Sequence, residues 1–227
     1  MTSRPPAGET SELLIARHGQ AYCNITGTIA GPGSCTGLTT LGRNQSQALA
    51  ARLHHEPAVT AIYASPRRRA RETAGIIGRA LTLPVSVHDD LREPDYGPAA
   101  EGRTWTDLLA AFQGDPATRH HMPLAEGGEP WTASASRVMR ALTALAAAHP
   151  GRRILIVGHD ETVKSAYHLF LGIPASQPLP IRLTVANASL TTWHKAASAP
   201  LGTIPARWTL VVHNDTSHLA QALAGTR

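Results

Sequence analysis

Short apolar runs alternate with longer amphipathic stretches along most of the 227 residues. The runs are typical of buried strands, and the stretches between them carry apolar residues at helical spacing. Predicted strands cover residues 12–17, 61–64, 85–87, 153–157, 187–194 and 207–213. Predicted helices run from Thr39 or Thr40 to His55, from Ser65-Pro66 to Leu81, and over 104–112, 132–149 and 161–171. This alternation favours right-handed crossovers and a mainly parallel sheet.

The order of these elements predicts an α/β fold, a three-layer αβα sandwich with a mainly parallel central sheet. We expect a single domain over residues 11–227, because no change in composition marks a linker, preceded by a disordered leader over residues 1–10. Residues 89–131 are expected to form a small lobe over the edge of the sheet that carries the polar groups described below. Residues 24–38 are predicted to be a loop, and the tail after Asn214 is expected to be ordered only in part.

Composition is ordinary for a soluble globular protein, with 42% hydrophobic and 16% charged residues. No apolar run approaches the length of a membrane span, and the first residues lack a signal-peptide pattern, so we expect a cytoplasmic protein without a membrane partner. The net charge of +5 comes from dispersed arginines, and no nucleic-acid partner is expected. Cys23 and Cys35 are too few for a disulfide framework and are expected to stay reduced.

Polar groups follow four of the predicted strands. Arg17 and His18 end the first strand, and Arg69 lies one turn into the helix after the second. Glu93 lies in the loop after the third strand, and His159 follows the fourth. In an open α/β sheet such positions converge at the carboxyl edge, where ligands bind.

Cations gathered at one edge would repel one another unless an anion lay among them. A phosphate group fits, because it accepts paired hydrogen bonds from arginine, and the helix after His159 adds backbone N–H groups and its positive dipole end. An imidazole such as that of His18 can also act as a nucleophile. The residues therefore indicate a site for phosphate chemistry.

The ordered set of motifs resembles the histidine phosphatase superfamily, the phosphoglycerate mutase-like proteins. The motifs run in family order from residue 13 to about 195. They are Arg17-His18-Gly19 with Asn24, Leu38-Thr39 with Gly42 and Gln45, Tyr63-Ala64-Ser65-Pro66 with Arg69-Ala70 and Thr73-Ala74, Leu91-Arg92-Glu93 with Tyr96-Gly97 and Glu101-Gly102, Gly127-Gly128-Glu129, Gly158-His159, and Asn187-Ala188-Ser189.

The resemblance implies a metal-independent phosphoric monoester hydrolase without a cofactor, acting on a small phosphorylated metabolite. His18 would be the nucleophile that becomes phosphohistidine, and Glu93 would protonate the leaving oxygen and later activate water. Arg17, Arg69 and His159 would form the phosphate pocket and balance the charge on its oxygens. The remaining residues expected to contact phosphate or substrate are Asn24, Gln20, Tyr22, Tyr96 and Asp160.

Two other functions stay open. A phosphoglycerate mutase uses the same residues, but members of that branch usually carry a longer insertion than the 66 positions (159 − 93) between Glu93 and His159 here. A non-catalytic phospholigand-binding protein is disfavoured because all five catalytic-type groups are present. The physiological substrate and the oligomeric state are open, with a homodimer as one alternative.

Several residues have a second interpretation. Asp160 stands where the family often has glycine, so it could face the substrate and favour a sugar or nucleoside over a second anionic group, or it could only cap the next helix. Arg67, Arg68 and Arg71 are interpreted as a solvated helix face, and His120-His121 as loop histidines rather than a metal pair. Glu101 could hydrogen-bond a neighbour of His18 or close a turn.

Overall fold

The fold is described from a computed structural model of the chain, which covers residues 10–115, 119–195 and 207–224. Within these ranges the strands are β1 (Ser11–Arg17), β2 (Ala61–Ala64), β3 (Val85–Val87), β4 (Arg153–Gly158), β5 (Leu190–Lys195) and β6 (Trp208–Asp215). They form a six-stranded sheet in the order β3-β2-β4-β1-β5-β6. Strands β1 to β4 are parallel, and β5 and β6 add antiparallel strands at one edge. The predicted α/β class and mainly parallel sheet are confirmed.

The helices of the described residues are α1 (Tyr22–Thr26), α2 (Thr40–His55), α3 (Arg68–Leu81), α4 (Trp105–Ala111), α5 (Trp131–Ala148), α6 (Asp160–Leu171) and α7 (Ser217–Ala224). A short 3₁₀ turn lies at Asp89–Leu91. Thr39 caps α2 by accepting a hydrogen bond from the Gly42 amide at 2.9 Å. Thr104 caps α4 in the same way, accepting from the Asp107 amide at 3.1 Å.

The sheet is the middle layer of three. Leu13 and Ile15 of β1 are fully buried in a core shared with α5 and α6. Leu14 and Ala16, which alternate with them, are buried in a second core shared with α2 and α3. Successive side chains of a strand point to opposite faces, so a run buried at every position is what a sheet covered on both sides requires.

Three differences from the predicted elements affect the segments around the site. Helix α3 begins at Arg68, so Ser65-Pro66 precede the helix instead of starting it. Strand β5 begins at Leu190 because Ala188 has a left-handed backbone with φ 56°, which interrupts the extended chain. The segment 24–38 was predicted to be a loop, but its first residues belong to α1, a five-residue helix with none of its residues buried.

The C-terminal segment contains a helix, α7, that the sequence did not predict. Nη1 of Arg52 in α2 makes an ion pair with Oδ2 of Asp215 at 2.7 Å, and this ion pair holds the start of the segment. The buried imidazole of His218 lies 2.9 Å from the carbonyl oxygen of Ala188 and ties α7 to the turn before β5. Both contacts join positions far apart in sequence, and periodicity within the tail alone does not reveal them.

The predicted leader lies outside the described residues except for Thr10. Cys23 and Cys35 are both free thiols. None of the helices in the described part of the chain is long and apolar enough to cross a membrane. The single domain and the lobe over residues 89–131 stay predictions.

Candidate active site

Two histidines lie side by side at one edge of the sheet because the strands that they follow are neighbours. In the parallel pairing of β1 with β4, Arg17 lies opposite Gly158. His18 and His159 therefore follow at the same edge, with ring centroids 5.3 Å apart. The start of α3 lies at this edge as well, since β2 pairs with β4 up to Ala64.

The His18 ring is held in one tautomer. Its Nδ1 lies 2.7 Å from the carbonyl oxygen of Gly19, which can only accept, so Nδ1 carries the hydrogen. The other nitrogen, Nε2, is then unprotonated and accepts a hydrogen bond from Nε of Arg69 at 3.1 Å. Burial, followed by the charges of Arg69 and Arg17, lowers the pKa of His18 well below its ordinary value. The imidazole is therefore neutral near pH 7, and its free nitrogen can act as a nucleophile.

Backbone contacts hold His18 from behind. Its carbonyl oxygen accepts from the Ala188 amide at 3.1 Å and from Nδ2 of Asn187 at 3.2 Å. A Cβ atom on Gly19 would collide with the carbonyl oxygen of Gly42, so only glycine permits this approach to α2. These contacts give a physical reason for the Arg-His-Gly order at the end of β1.

The guanidinium of Arg69 bridges the imidazole and a carboxylate. While Nε donates to His18, Nη2 donates to Oε1 of Glu93. Nη1 donates to the carbonyl oxygen of Ala30 at 3.3 Å and to the thiol sulfur of Cys35 at 3.2 Å. Arg69 is only 3% exposed, and these partners satisfy its buried charge.

A second arginine reaches the same carboxylate. Nε of Arg67 lies 3.3 Å from Oε1 of Glu93, and Arg67 is 6% exposed. The prediction that Arg67 lies on a solvated face is wrong, because α3 begins one residue later and Arg67, in extended backbone, is buried against Glu93. Arg68 and Arg71 are exposed, as expected.

His159 lies between Glu93 and Ser65. Its Nδ1 is 3.6 Å from Oε2 of Glu93, and its Nε2 is 2.8 Å from Oγ of Ser65. Burial, then the charges of Arg69 and His18, lowers the pKa of His159 well below its ordinary value. This imidazole is also neutral near pH 7 and can donate one hydrogen bond to a ligand.

Two buried nitrogens of cavity-lining residues have no hydrogen-bond partner among the described residues, Nε of Arg17 and Nδ1 of His159. Arg17 is held in position by donating from Nη1 to the carbonyl oxygen of Val185. Buried polar groups are normally paired, so these nitrogens fit the oxygens of a tetrahedral anion.

One cavity of about 730 Å³ brings most of the predicted residues together. Its lining includes, from the predicted set, Arg17, His18, Asn24, Arg69, Glu93, Tyr96, His159 and Asp160. Gln20 and Tyr22 are not among its lining residues. The side chain of Gln20 instead accepts from the Thr39 hydroxyl at 2.9 Å, and Tyr22 is 47% exposed.

A polar cluster of which the sequence singled out only Asp160 lies beside the phosphate-type groups. Asp160 makes an ion pair with Lys164 at 2.8 Å, and the cap position of α6 belongs to His159. Burial alone would raise the pKa of Asp160. The hydrogen bond from Glu161 and the charge of Lys164 nevertheless hold this pKa well below its usual range. Burial and then Asp160 raise the pKa of Glu161 well above its usual value. The cluster therefore holds one carboxylate, one neutral carboxyl group and one ammonium group.

The loop that carries Glu93 is held by Arg137, which sequence reasoning also missed. Its Nη1 donates to the carbonyl oxygens of Asp90 at 2.8 Å and Arg92 at 3.1 Å. Its Nη2 pairs with Glu129 at 2.6 Å. The buried Arg137 of α5, which is paired with Glu129 of the Gly-Gly-Glu motif, therefore fixes the course of the loop.

Two other candidates have structural contacts. The carboxylate of Glu101 accepts from the amide of Ser34 at 2.8 Å and from its hydroxyl at 2.7 Å, so Glu101 closes the turn at residues 31–35. His120 lines the cavity, and its Nε2 lies 3.3 Å from the carbonyl oxygen of Ser176. Among the described residues, no group of three or more His, Cys, Asp and Glu side chains is arranged to hold a metal ion.

The sequence profile of the histidine phosphatase superfamily (branch 1) matches residues 13–215, and the chain belongs to this family. The metal-independent phosphoserine phosphatase of Arabidopsis thaliana is 27% identical over 220 residues, covering 93% of this chain and 84% of that protein. The bifunctional protein Rv2228c of Mycobacterium tuberculosis is 31% identical over 193 residues, 82% of this chain, and the chain spans about half (51%) of its length. Mycobacterial glucosyl-3-phosphoglycerate phosphatase, solved with VO3, has a TM-score of 0.73 at 28% identity, covering 89% of this chain and 98% of that chain.

Proposed function

We propose that this chain is a phosphomonoester hydrolase that acts through a phosphohistidine at His18. The observation that carries the proposal is the unprotonated Nε2 of His18, which lies in the cavity beside the guanidinium of Arg69 at 3.1 Å. A neutral, oriented imidazole next to cationic hydrogen-bond donors is the arrangement that in-line attack on phosphorus needs. The phosphatase names of the relatives support the same reaction class.

In the first step Nε2 of His18 attacks phosphorus, and the ester P–O bond breaks. Glu93 gives its proton to the departing oxygen, which leaves as the alcohol. Arg17, Arg69 and His159 bind the other phosphoryl oxygens and balance their charge. In the second step Glu93 takes a proton from water, the water oxygen attacks phosphorus, and the P–N bond breaks to return neutral His18 and phosphate.

We assign the charge-balancing role to the guanidinium groups and include no metal ion. Arg17 and Arg69 supply two permanent cations at the phosphoryl group, and Arg67 adds a third next to Glu93. The name of the Arabidopsis relative agrees with a metal-independent reaction.

On the leaving-group side, the substrate is proposed to be an uncharged alcohol. Asp160 is paired with Lys164. An isolated carboxylate would repel a second anionic group of the substrate, but the charge of Lys164 largely balances this repulsion. Asp160→Asn would leave Lys164 unpaired, and we expect the ratio of kcat/KM for phosphoglycerate to that for glycerol phosphate to increase. An unchanged ratio would place the cluster away from the leaving group.

The decisive experiment is an acid quench after mixing the protein with a ³²P-labelled aryl monophosphate. Wild type and the control His54→Ala, which changes an exposed histidine of α2, should both carry an acid-labile, base-stable label. His18→Ala should carry none and should turn over no substrate. Release of the label to water supports the hydrolase, whereas its transfer to added phosphoglycerate identifies the mutase. Tight binding of vanadate without any label in wild type identifies a non-catalytic binding protein.

A further inference from the structure

The cavity extends well beyond the groups that would handle a phosphoryl group. Its volume of about 730 Å³ lies within the range of sites that enclose ligands of drug size. The phosphate-type residues, at the carboxyl ends of β1 and β4 and at the start of α3, form only part of its lining. The remaining volume must therefore be matched by the alcohol part of the substrate.

The wall facing this remaining volume is mostly apolar and is built from three separate segments. Helix α4 contributes Trp105 and Leu109, the stretch leading into α5 contributes Met122 and Trp131, and the segment after α6 contributes Leu179 and Ile181. Segments so far apart in sequence form one apolar surface only in the folded protein.

Four of these side chains are unusually exposed for their type. Ile181 is 55% exposed, Leu109 44%, Met122 41% and Trp105 37%. Burying them in the protein core would be favourable, yet all four line the same cavity. A cluster of exposed apolar side chains beside a polar site is typical of a surface that a ligand covers.

The charged groups near this wall offer no buried partner for a second anion. Lys164 is already paired with Asp160, and Glu161 is held neutral. Arg119 and Arg182 also line the cavity, but both are exposed to solvent. An uncharged leaving group would need no buried ionic partner in this half of the cavity, and the described lining offers none.

From these observations we infer that the substrate is the phosphomonoester of a bulky, uncharged and largely apolar alcohol, with an aryl or medium-chain alkyl body against the wall defined by Trp105, Leu109, Met122, Trp131, Leu179 and Ile181. The inference rests on the proposed hydrolysis at His18 and adds the substrate class. It separates this protein from an enzyme restricted to short polar alcohols, which would leave the apolar wall in contact with water.

The test is a series of n-alkyl monophosphates from ethyl to octyl, which share charge and have nearly the same leaving-group basicity. Each buried methylene is expected to raise kcat/KM about fourfold, until the chain passes the end of the wall. A series of n-alkylphosphonates, which cannot be hydrolysed, should show the same trend in its inhibition constants against any substrate that the enzyme accepts. Flat trends in both series would overturn the inference.

Matched variants test whether the residues of the apolar wall cause the dependence of kcat/KM on chain length. Leu109→Ser and Ile181→Ser change exposed side chains, so the fold should persist, and each should lower the octyl-to-ethyl ratio of kcat/KM at least fivefold. The control Val211→Ser changes a 52% exposed residue of β6 outside the cavity lining and should keep the wild-type ratio. A ratio that stays at the wild-type value in both wall variants would contradict the inference.

The remaining outcomes separate this inference from the proposed reaction. If wild type labels at His18 and releases phosphate but shows no dependence on chain length, hydrolysis stands and the substrate class fails. If phosphonate binding strengthens with chain length while no label forms, the wall binds apolar groups and the hydrolase proposal fails. A dimer that dissociates in Leu109→Ser, together with a flat trend, would show that a second copy covers the wall.

Discussion

The Nδ1 of His18 lies 2.7 Å from the carbonyl oxygen of Gly19. This contact commits Nδ1 to donating a hydrogen and leaves Nε2 as the unprotonated ring nitrogen, which accepts from Nε of Arg69. The carbonyl oxygen of Gly42 leaves room only for glycine at position 19, so this segment of backbone is held close to α2.

We expect the phosphoryl group to attach to Nε2 of His18 and not to Nδ1. The phosphoenzyme should give the ³¹P NMR shift of the Nε2-linked isomer after denaturation in base, which preserves both isomers. The control His54→Ala should give the same signal. A signal from the Nδ1-linked isomer would mean that the ring rotates before reaction and that the Gly19 contact does not set the geometry.

Glu93→Gln should slow hydrolysis about 10²-fold or more with a poor leaving group such as a simple alkyl alcohol, because the amide cannot donate the required proton. The loss should shrink with nitrophenyl phosphate, whose leaving group departs as an anion. Equal losses with both substrates would argue that Glu93 only positions Arg69.

Arg67 is expected to act as a positioning residue for Glu93. When a phosphoryl group takes hydrogen bonds from Arg69, the contact of Arg67 with Glu93 at 3.3 Å is the one that keeps the carboxyl group in place. Arg67→Met should therefore lower kcat about tenfold or more with alkyl phosphates, with a smaller effect on nitrophenyl phosphate and little change in KM.

The same helix supplies the controls for Arg67. Arg68→Met and Arg71→Met change exposed arginines and should leave kcat unchanged. Adding Arg67→Met to Glu93→Gln should cost little further activity, because both changes impair the same proton transfer by Glu93. Fully multiplicative losses would mean that Arg67 acts independently of Glu93, and partial recovery in Arg67→Lys would support a role for its charge.

Catalysis should not depend on a metal ion. Prolonged dialysis against EDTA should leave kcat/KM within about twofold of the untreated protein, since guanidinium groups supply the cationic charge in the proposed reaction. Loss of activity that a divalent cation restores would show that the phosphate pocket needs a charge that its arginines do not provide.

The sheet and the core of the site were predictable from sequence because they rest on local signals. Strands β1 and β4 are buried at successive positions and read as short apolar runs, and His18 and His159 directly follow them. The parallel order then brings their ends together without any further information.

What the sequence did not predict depends on contacts between distant segments. Arg67 belongs to a run of arginines with no local sign that one member would turn inward, and it is buried only because α3 starts at Arg68 and Glu93 arrives from another loop. Arg137 likewise reads as one polar residue in an alanine-rich helix until the carbonyl oxygens of Asp90 and Arg92 reach it. The Asp160–Lys164 pair has the four-residue spacing of a helical ion pair, but it was not predicted, because Asp160 was interpreted only as a substrate contact or a helix cap.

The protein should lose stability at low pH because of its two buried active-site histidines. His18 and His159 are buried and neutral, and their pKa values lie well below the ordinary value of 6.5. In the unfolded chain both histidines take up protons as the pH falls through about 6.5, whereas in the native protein they do not. Their contribution is therefore fully present above pH 6.5 and decreases below it, by about 1.4 kcal/mol per pH unit for each histidine that stays neutral in the native state.

Urea denaturation at pH 5, 6, 7 and 8 measures this dependence as the change in the free energy of unfolding. His18→Ala should reduce the slope between pH 6 and pH 5 by about one proton, while His54→Ala, which changes an exposed histidine, should keep the wild-type slope. Saturating vanadate should raise the unfolding free energy at every pH, because an anion bound to Arg17, Arg69 and His159 stabilises only the native state. A wild-type slope that His18→Ala leaves unchanged would mean that this histidine is protonated in the native protein as readily as in the unfolded chain, and the neutral nucleophile of the proposed mechanism would have to be abandoned.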